Sequence, residues 1–481
     1  MNKNNNTPAA KSGALYTLQD VGRAAPVVSG QEFEPSDPFR AQFRRDYARL
    51  VHCASFRRLQ GKTQLFPGVE SDFFRNRLTH SMEVAQIAKG ISLRLNATTP
   101  SLKGNAINTD LVELAALAHD IGHPPFGHNG EHALDECMEN YGGFEGNAQT
   151  LRIISRLEKR EMNSSSNESQ CGLNLTYRSI AALLKYNRKI PTKRSDRPDP
   201  KRLAKGYYIS EGKLIADTKK AVAPGAPDSR FKTVECQIMD IADDIAYSTY
   251  DLEDAFKAGF FHPLEIISLT ADNKILGQVT KKVNEATKLN LTVDDIQDVI
   301  VKSFGKIFEH ENIAASKDEF MNRVANMIFV YRRSKTISSD GFLRTQFTSE
   351  LVKEFISGVS VNFDTKFPAL SQIHVDDYVR IKIETIKHLT FEALTMSPRM
   401  RVVEYRGRDI VKKIFSALAE DKTKGHLLLP DDWRDKYDSA AKPDKKRVIC
   451  DFVAGMTDRY ATEFFARLTS TNHEHSFFKP F

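Results

Sequence analysis

The sequence lacks the features of a secreted protein. Its five cysteines are odd in number, scattered, and include no C-x-x-C pair, which predicts free thiols in a reducing compartment. The N-terminal stretch MNKNNNTPAAKSGA has no apolar segment of the kind found in a secretory signal. These two absences predict a cytoplasmic location. The cysteines are Cys53, Cys137, Cys171, Cys236 and Cys450.

Long apolar runs are missing too, and strand patterns are few. No stretch of about 18 or more apolar residues is present, so no membrane-spanning helix is expected. The 41% of hydrophobic residues is enough for a sizeable core, and their spacing is mostly helical. No internal repeat is visible. We therefore expect an all-α fold whose loops carry the polar chemistry.

Neither sign of charge is in large excess. The chain has 69 Lys and Arg against 62 Asp and Glu, a difference of +7. This mild positive charge permits an anionic partner, such as a nucleotide or a nucleic acid. An ordinary solvated surface explains it equally well.

Composition divides the chain into three parts. Residues 1–37, rich in Asn, Pro, Gly and Ser, are predicted to form a flexible tail. Residues 38–270 are predicted to form the core, interrupted at about 158–229 by a polar, basic insertion that is a candidate lid, oligomer contact or nucleic-acid contact. Within this insertion LTYRSIAALLKYN looks helical, and GYYISEGKLIADTKKAV is expected to be a hairpin or extended. Residues 271–481 are expected to be helical, completing the core and supplying oligomer contacts.

Histidines cluster in the stretch ALAHDIGHPPFGHNGEHAL, which holds four of the 13 in the chain. HDIGH resembles the H-E-x-x-H helix of zinc proteases. A helix is predicted to begin near residues 108–110, but the two prolines directly after His123 should stop it at Gly122, because proline lacks an N–H and its ring clashes with the preceding turn. Asp120 is also one methylene shorter than the protease glutamate. A different kind of metal site is therefore favoured.

His119 and Asp120 can instead bind one metal ion at the end of that helix, with further ligands from other helices. His80 lies on the inward, apolar face of a predicted amphipathic helix. In ADDIAYSTYDLED, two acids and a tyrosine recur every four residues from Asp243, so they share one helix face. Two histidines and two aspartates suit Mn²⁺, Fe²⁺, Co²⁺, Zn²⁺ or Mg²⁺. Each of these residues alone is more often structural, but the combination across three helices is much rarer.

The order of these residues resembles the H…HD…D pattern of the HD-domain phosphohydrolases. More specifically, six segments spanning Phe56 to Ala461 resemble, in order, the deoxyguanosine triphosphate triphosphohydrolase (dGTPase) family. The vertebrate HD-domain dNTPase is a more distant relative. The six segments are FRRLQGKTQLF, NRLTHSMEVAQIA, HDIGHPPFGHNGE, FEGNAQTLR, ADDIAYSTYDLED and AGMTDRYA.

This resemblance implies an HD-domain helical core and a set of metal ligands. Asp243 is preferred over Asp244 because only Asp243 is followed by Tyr and Asp four and eight residues later, as in the family. Mn²⁺ or Mg²⁺ is the expected ion, with Fe²⁺, Co²⁺ or Zn²⁺ as alternatives. The implied ligands are His80, His119, Asp120 and Asp243.

The resemblance also implies roles for the histidines that follow the prolines. His128 corresponds to the family's general acid/base, with Glu131 as the group that orients it, and His123 is expected to contact the α-phosphate. The alternative is that His123 and His128 only cap the broken helix. His132 matches no family role and is predicted to be structural.

Six substrate-binding residues follow from the same resemblance. Arg77 and, more weakly, Lys185 are expected to bind phosphate. Gln64 and Asp251 are expected to hold the 3′-hydroxyl, with Tyr247 under the sugar where a 2′-hydroxyl would clash. The full set is Gln64, Leu65, Arg77, Lys185, Tyr247 and Asp251.

The implied activity is metal-dependent hydrolysis of a deoxynucleoside triphosphate, with dGTP preferred, to the deoxynucleoside and inorganic triphosphate. A homo-oligomer, a hexamer as in the family, is expected, and single-stranded DNA or a nucleotide is a candidate regulator. One alternative is an HD phosphohydrolase acting on another nucleotide phosphoester. A second is a nucleic-acid-binding regulatory protein with a vestigial HD core.

Overall fold

A computed structural model describes residues 13–25, 41–65, 74–158, 172–308, 318–395 and 398–469. Helices dominate this part of the chain and only two short strands occur in it, which confirms the predicted all-α class. No helix in the described ranges is long and apolar enough to cross a membrane. Four of the five cysteines are described, all as free thiols, and Cys171 lies outside these ranges.

The helices and strands are numbered here in chain order. The first nine helices are α1 (Gln42–Val51), α2 (Ala54–Arg58), α3 (Arg77–Thr98), α4 (Thr109–Ala118), α5 (Gly127–Cys137), α6 (Gly146–Arg152), α7 (Tyr177–Ala182), α8 (Gly212–Val222) and α9 (Val234–Lys257). The remaining elements are α10 (Pro263–Ser268), α11 (Asn273–Thr287), α12 (Val293–Gly305), α13 (Glu319–Ser339), α14 (Gly341–Ser357), β1 (Val359–Asn362), β2 (Gln372–Val375), α15 (Asp377–Thr395), α16 (Pro398–Ala419), α17 (Asp431–Ser439), α18 (Lys445–Ala454) and α19 (Asp458–Thr469).

The chain divides into two compact units. The first is drawn from residues 1–240, 361–373 and 403–481, and the second from residues 241–360 and 374–402. In the second unit α11 packs against both α12 and α15, and α13 packs against α10 and α14. The boundaries predicted from composition, at residues 37 and 270, stay predictions.

The first unit contains the helix pair that carries most of the candidate site. α3 lies along α4, and the predicted inward stripe of α3, with Val84, Ile87 and Ile91, is buried. The Asn76 side chain caps α3 by accepting from the Thr79 N–H. These contacts fix where the first turn of α3 points, and that turn contains His80.

A large apolar cluster packs against α5. It combines Ala133, Leu134 and Met138, in and just after α5, with apolar residues of α16, α18 and α19. C-terminal helices therefore pack directly against the helix that begins with the GHNGEH segment. This packing brings the AGMTDRYA segment near the candidate site.

Three details differ from the sequence predictions. α4 ends at Ala118, four residues before Gly122, so HDIG forms turns rather than helix. GKLIADTKKAV forms α8 instead of a hairpin, because Ile215, Thr218 and Val222 recur at helical spacing and are all buried.

The third difference concerns the tail and the insertion. Within the predicted tail, residues 13–25 are ordered, and Arg23 forms an ion pair of 2.7 Å with Asp46. Within the insertion, residues 159–171 lie outside the described ranges. Its basic residue Arg197 is buried and paired with Asp135 at 2.6 Å, so part of its charge is internal.

Candidate active site

The chain leaves α4 at His119, and a backbone contact there orients this side chain. His119 Nδ1 lies 2.6 Å from the carbonyl oxygen of Ala116. A carbonyl oxygen only accepts, so Nδ1 carries a proton, and Nε2 is the nitrogen that faces Asp120. This is the arrangement that a metal-binding histidine needs.

His80 faces His119 from the first turn of α3. His80 is fully buried, and the ring centroids of the two histidines are 5.6 Å apart. A ring nitrogen of each lies within 4.8 Å of the other. Metal–imidazole bonds are about 2.0–2.1 Å long for zinc, so two nitrogens at this separation suit one shared ion after small side-chain shifts.

Asp120 is a buried carboxylate held by three basic side chains. Its Oδ2 lies 2.5 Å from Arg77 Nη1, and its Oδ1 lies 2.9 Å from His123 Nδ1 and 3.3 Å from His119 Nε2. Burial alone raises the pKa of a carboxyl group, but His123, His119 and Arg77 outweigh it and hold the pKa of Asp120 well below its usual value. Asp120 is therefore an anion at neutral pH.

Two more of the sequence-predicted acids, Asp243 and Asp251, lie on α9. Asp243, Tyr247 and Asp251 occupy successive turns of this helix, with both aspartates buried and the tyrosine half-buried. Asp244 points elsewhere, since its Oδ1 accepts from Lys387 Nζ at 2.8 Å. These residues belong to the second unit, and their helix begins in the first.

The turn at Pro124 and Pro125, called here the proline turn, separates these buried residues from an exposed histidine, His128, and its partner Glu131. His128 Nδ1 lies 3.0 Å from Glu131 Oε2, and the His128 side chain is 68% exposed while Glu131 is buried. The other carboxylate oxygen, Oε1, accepts from the Gly146 N–H at 2.8 Å. Burial opposes the charge of Glu131, but the bond to His128 prevails and lowers the pKa of Glu131.

Two glycines make this turn possible by having no side chain. A Cβ on Gly122 would lie 2.1 Å from the carbonyl oxygen of Gly146, so α6 could not approach. Gly127 has a φ of 57°, and a Cβ there would lie 2.9 Å from Arg77 Nη2. The close approach of α6 explains how FEGNAQ supports the site, which could not be deduced from the sequence.

His123 lies at the proline turn. Its carbonyl oxygen is held by Lys62, a residue for which no role was predicted from the sequence. The Lys62 ammonium donates to the carbonyl oxygens of His123, at 2.5 Å, and Ala454, at 2.9 Å. Burial, then the charge of Arg58, lowers the pKa of Lys62 to about 7. Burial also lowers the pKa of His123, followed by the charge of Arg77. Lys62 lies within the FRRLQGKTQLF segment, but its position there does not reveal its contact with His123.

Gln64 and Leu65 follow closely after Lys62. Both polar atoms of the Gln64 side chain are buried, and neither has a hydrogen-bond partner within the described part of the chain. Leu65 is half-buried. A buried amide without a partner is costly, which makes Gln64 a candidate for binding a ligand hydroxyl.

Two further residues were singled out from the sequence, Lys185 and His132. Lys185 Nζ is ion-paired with Asp240 Oδ1 at 2.5 Å. Asp240 also accepts from Lys232. His132, predicted to be structural, is exposed on α5.

Comparisons with known proteins match both halves of the chain. Residues 77–248 match the model of the HD domain, and residues 373–467 match that of the phosphohydrolase-associated domain. The first range starts at Arg77 and includes all four residues predicted to bind the metal.

Full-length relatives agree with these matches. The chain is 47% identical to deoxyguanosinetriphosphate triphosphohydrolase-like protein 2 of Mesorhizobium japonicum, over 97% of this chain and 100% of that protein. Similarly named proteins of Aliivibrio fischeri and Vibrio cholerae are 34% and 32% identical, over 89% and 90% of this chain and 93% of each relative. The chain therefore belongs to the family of deoxyguanosinetriphosphate triphosphohydrolase-like proteins and carries its HD phosphohydrolase domain.

Proposed function

We propose that the protein hydrolyses deoxynucleoside triphosphates, with dGTP preferred, to the deoxynucleoside and inorganic triphosphate. The observation that carries this proposal is the pairing of two sites across the proline turn. A buried, anionic Asp120 beside His119 lies on one side, and the His128–Glu131 pair lies on the other. The first suits a metal ion and the second suits proton transfer.

The proposed ligands of a divalent ion, Mn²⁺ or Mg²⁺ in the first place, are His80, His119, Asp120 and Asp243. The contact of His119 Nδ1 with the Ala116 carbonyl oxygen, which leaves Nε2 facing Asp120, and the ionised state of Asp120 fit this role. The Asp244–Lys387 pair supports the choice of Asp243, because it engages the neighbouring acid elsewhere. When bound, the ion would act as a Lewis acid on the α-phosphate and lower the pKa of a water molecule.

His128 is the proposed proton donor for the departing 5′-oxygen of the nucleoside. Its Nδ1 bonds to Glu131, so Nε2 is the nitrogen available to exchange a proton. Glu131 is itself held by the Gly146 N–H, which fixes the orientation of the pair. Histidine suits this role because its pKa is ordinarily near neutral.

Phosphate binding is assigned to His123, Arg77 and, with less support, Lys185. Arg77 is buried beside Asp120, so its guanidinium lies next to the proposed metal site. Lys185 is ion-paired with Asp240, so its proposed role in phosphate binding rests on the resemblance alone.

Sugar recognition is assigned to Gln64, Leu65, Tyr247 and Asp251. The buried Gln64 amide supports this, because a 3′-hydroxyl would supply the partner that it lacks among the described residues. A 2′-hydroxyl packed against Tyr247 would stay unpaired at a cost of about 1–3 kcal/mol. Preference for deoxyribose of about ten- to hundredfold is therefore expected.

The test is a panel of the four dNTPs and GTP incubated with Mn²⁺, with released nucleoside and phosphate species measured separately. We expect inorganic triphosphate and deoxynucleoside in equal amounts, fastest from dGTP. Release of pyrophosphate or orthophosphate would contradict the proposal and favour another HD phosphohydrolase activity. Equal rates with GTP and dGTP would remove the sugar-site assignment.

The proposals about partners and location have different grounds. A hexameric assembly is proposed from the resemblance, regulation by single-stranded DNA or a nucleotide from the mild positive charge and the basic insertion, and a cytoplasmic location from the scattered cysteines and the polar N-terminal stretch. The internal pairing of Arg197 with Asp135 weakens the case for the insertion as a purely solvated basic surface. No described contact favours the nucleic-acid-binding alternative over catalysis.

A further inference from the structure

The AGMTDRYA segment has no role in the proposed chemistry, yet one of its residues contacts two parts of the candidate site. Asp458 begins α19. Its Oδ1 accepts from the Phe126 N–H at 2.9 Å. Its Oδ2 accepts from the Thr63 N–H at 2.8 Å and from the Thr63 hydroxyl at 2.5 Å. One carboxylate therefore joins segments that are more than sixty residues apart in sequence.

Lys62 makes a second connection between the same regions. Its ammonium bridges the His123 carbonyl oxygen in the turn and the Ala454 carbonyl oxygen at the end of α18. A Cβ on Gly61 would lie 2.8 Å from Thr457 Cγ2, so the chain around residue 457 packs closely on the chain before Lys62. The AGMTDRYA segment thus contacts both the chain at residues 61–63 and the turn at residues 123–126.

The two residues that bond to Asp458 each lie just before a residue with a proposed role in substrate binding or proton transfer. Thr63 is followed directly by Gln64, whose amide is the proposed partner of the 3′-hydroxyl. Phe126 lies two residues before His128 and has a φ of 62°, a left-handed conformation that bulky residues rarely adopt. Such a conformation persists only where surrounding contacts determine it, and the bond to Asp458 is one of those contacts.

We propose that Asp458 is a positioning residue. By bonding to Thr63 and Phe126, it fixes the position of Gln64 relative to that of His128. This inference rests on the proposed function, since it assigns Gln64 to the sugar and His128 to proton transfer. Its consequence is specific. Loss of the Thr63 bonds should affect substrate affinity and sugar selectivity, and loss of the Phe126 bond should affect turnover.

The principal test is Asp458→Asn, compared with the wild type and with Asp364→Asn. The asparagine keeps one acceptor oxygen and turns an N–H donor toward a backbone N–H. We expect kcat/KM for dGTP to fall at least tenfold and the preference for dGTP over GTP to fall with it. Asp364 is a matched control in the same unit, because its carboxylate accepts from the N–H groups of Lys366 and Phe367. Asp364→Asn should keep kcat/KM and selectivity within twofold of the wild type.

Thr63→Val provides a second and milder variant. It removes only the hydroxyl donor, so we expect KM for dGTP to rise about threefold or more while kcat stays within twofold. This variant decides the matter if Asp458→Asn does not fold. Unchanged KM and selectivity in Thr63→Val would then overturn the inference.

The outcomes separate the inference from the function on which it rests. A wild-type protein that releases no triphosphate from any dNTP would contradict the proposed function. An active wild type with an Asp458→Asn variant of unchanged kcat/KM and selectivity would contradict only the role of Asp458. Equal losses in Asp458→Asn and Asp364→Asn would also overturn it, because the effect would then be a general loss of stability.

Discussion

Each side of the proline turn has a histidine beside a carboxylate, but the surroundings of the two histidines differ. His119 and Asp120, before Gly122, are buried, whereas the His128 side chain, after it, is 68% exposed. On the first side the Ala116 carbonyl oxygen accepts from His119 Nδ1, and three basic neighbours keep Asp120 ionised. On the second, a histidine that can exchange protons with solvent is held by a buried carboxylate. Burial, more than residue type, distinguishes a proposed metal ligand from a proposed proton donor.

The largest expected effect comes from breaking the buried side. His119→Ala or Asp120→Ala should abolish metal binding and turnover, because each removes a proposed ligand. The loss in metal affinity should exceed the roughly 10–100-fold that follows from removing a supporting partner of a ligand. Metal content by elemental analysis and triphosphate release would check this. His132→Ala, which changes an exposed histidine on α5, should alter neither, and full activity in the Asp120 variant would remove the metal assignment.

The exposed side should respond differently to the same substitution. His128→Ala should retain the metal and lose turnover by about 10²–10⁴-fold, the usual contribution of a general acid or base. Metal content and kcat measured on one preparation would separate the two sides of the turn. A His128 variant with wild-type turnover would show that this residue only caps the broken chain.

Much of this comparison could be predicted from the sequence, because it depends on local patterns. Helical spacing located His80 on α3 and the shared face of Asp243, Tyr247 and Asp251 on α9. The prolines predicted the break, although α4 ends four residues earlier than Gly122. Residues close in sequence are constrained by helix geometry, and a single sequence reports that geometry well.

The supporting contacts could not be predicted in the same way. Glu131 is held by a backbone N–H of Gly146, and Lys62 reaches a carbonyl oxygen of Ala454, which is 392 residues away. A backbone N–H has no residue-specific signature, and the position of Lys62 within FRRLQGKTQLF does not reveal which carbonyl oxygens it contacts. Such contacts depend on how helices pack, which spacing does not encode. The role of FEGNAQ was therefore visible only in the structure.

A smaller effect is expected from Glu131, the carboxylate that orients His128. Glu131→Gln should lower kcat by about 10–100-fold, the range measured for groups that orient a functional histidine in metal sites. The amide has one acceptor oxygen, so it cannot serve both the Gly146 N–H and His128. Thermal melting and steady-state kinetics on one preparation would check this. A fall in thermal stability with an unchanged kcat would indicate a structural role only.

The smallest expected effect concerns Lys62 and appears in stability rather than rate. Its pKa is lowered to about 7 in the folded protein, mainly by burial, whereas an unfolded lysine titrates near 10.5. Between these values the unfolded chain binds a proton that the folded chain does not, so this group makes the folded state more stable as pH rises from 7 toward 10.5. From pH 7 to 8 the contribution is about 1 kcal/mol.

Lys62→Met removes this titration and provides the comparison. The free energy of unfolding would be measured by urea unfolding at pH 7 and at pH 8, with a chelator present. From pH 7 to pH 8 it should rise by about 1 kcal/mol more in the wild type than in the variant. Parallel pH dependence in the two proteins would mean that Lys62 stays charged in the fold. In that case Lys62 would be a buried cation, rather than a neutral amine, when it bonds to the His123 and Ala454 carbonyl oxygens. A fixed positive charge beside His123 would then be a further difference between the two sides of the proline turn.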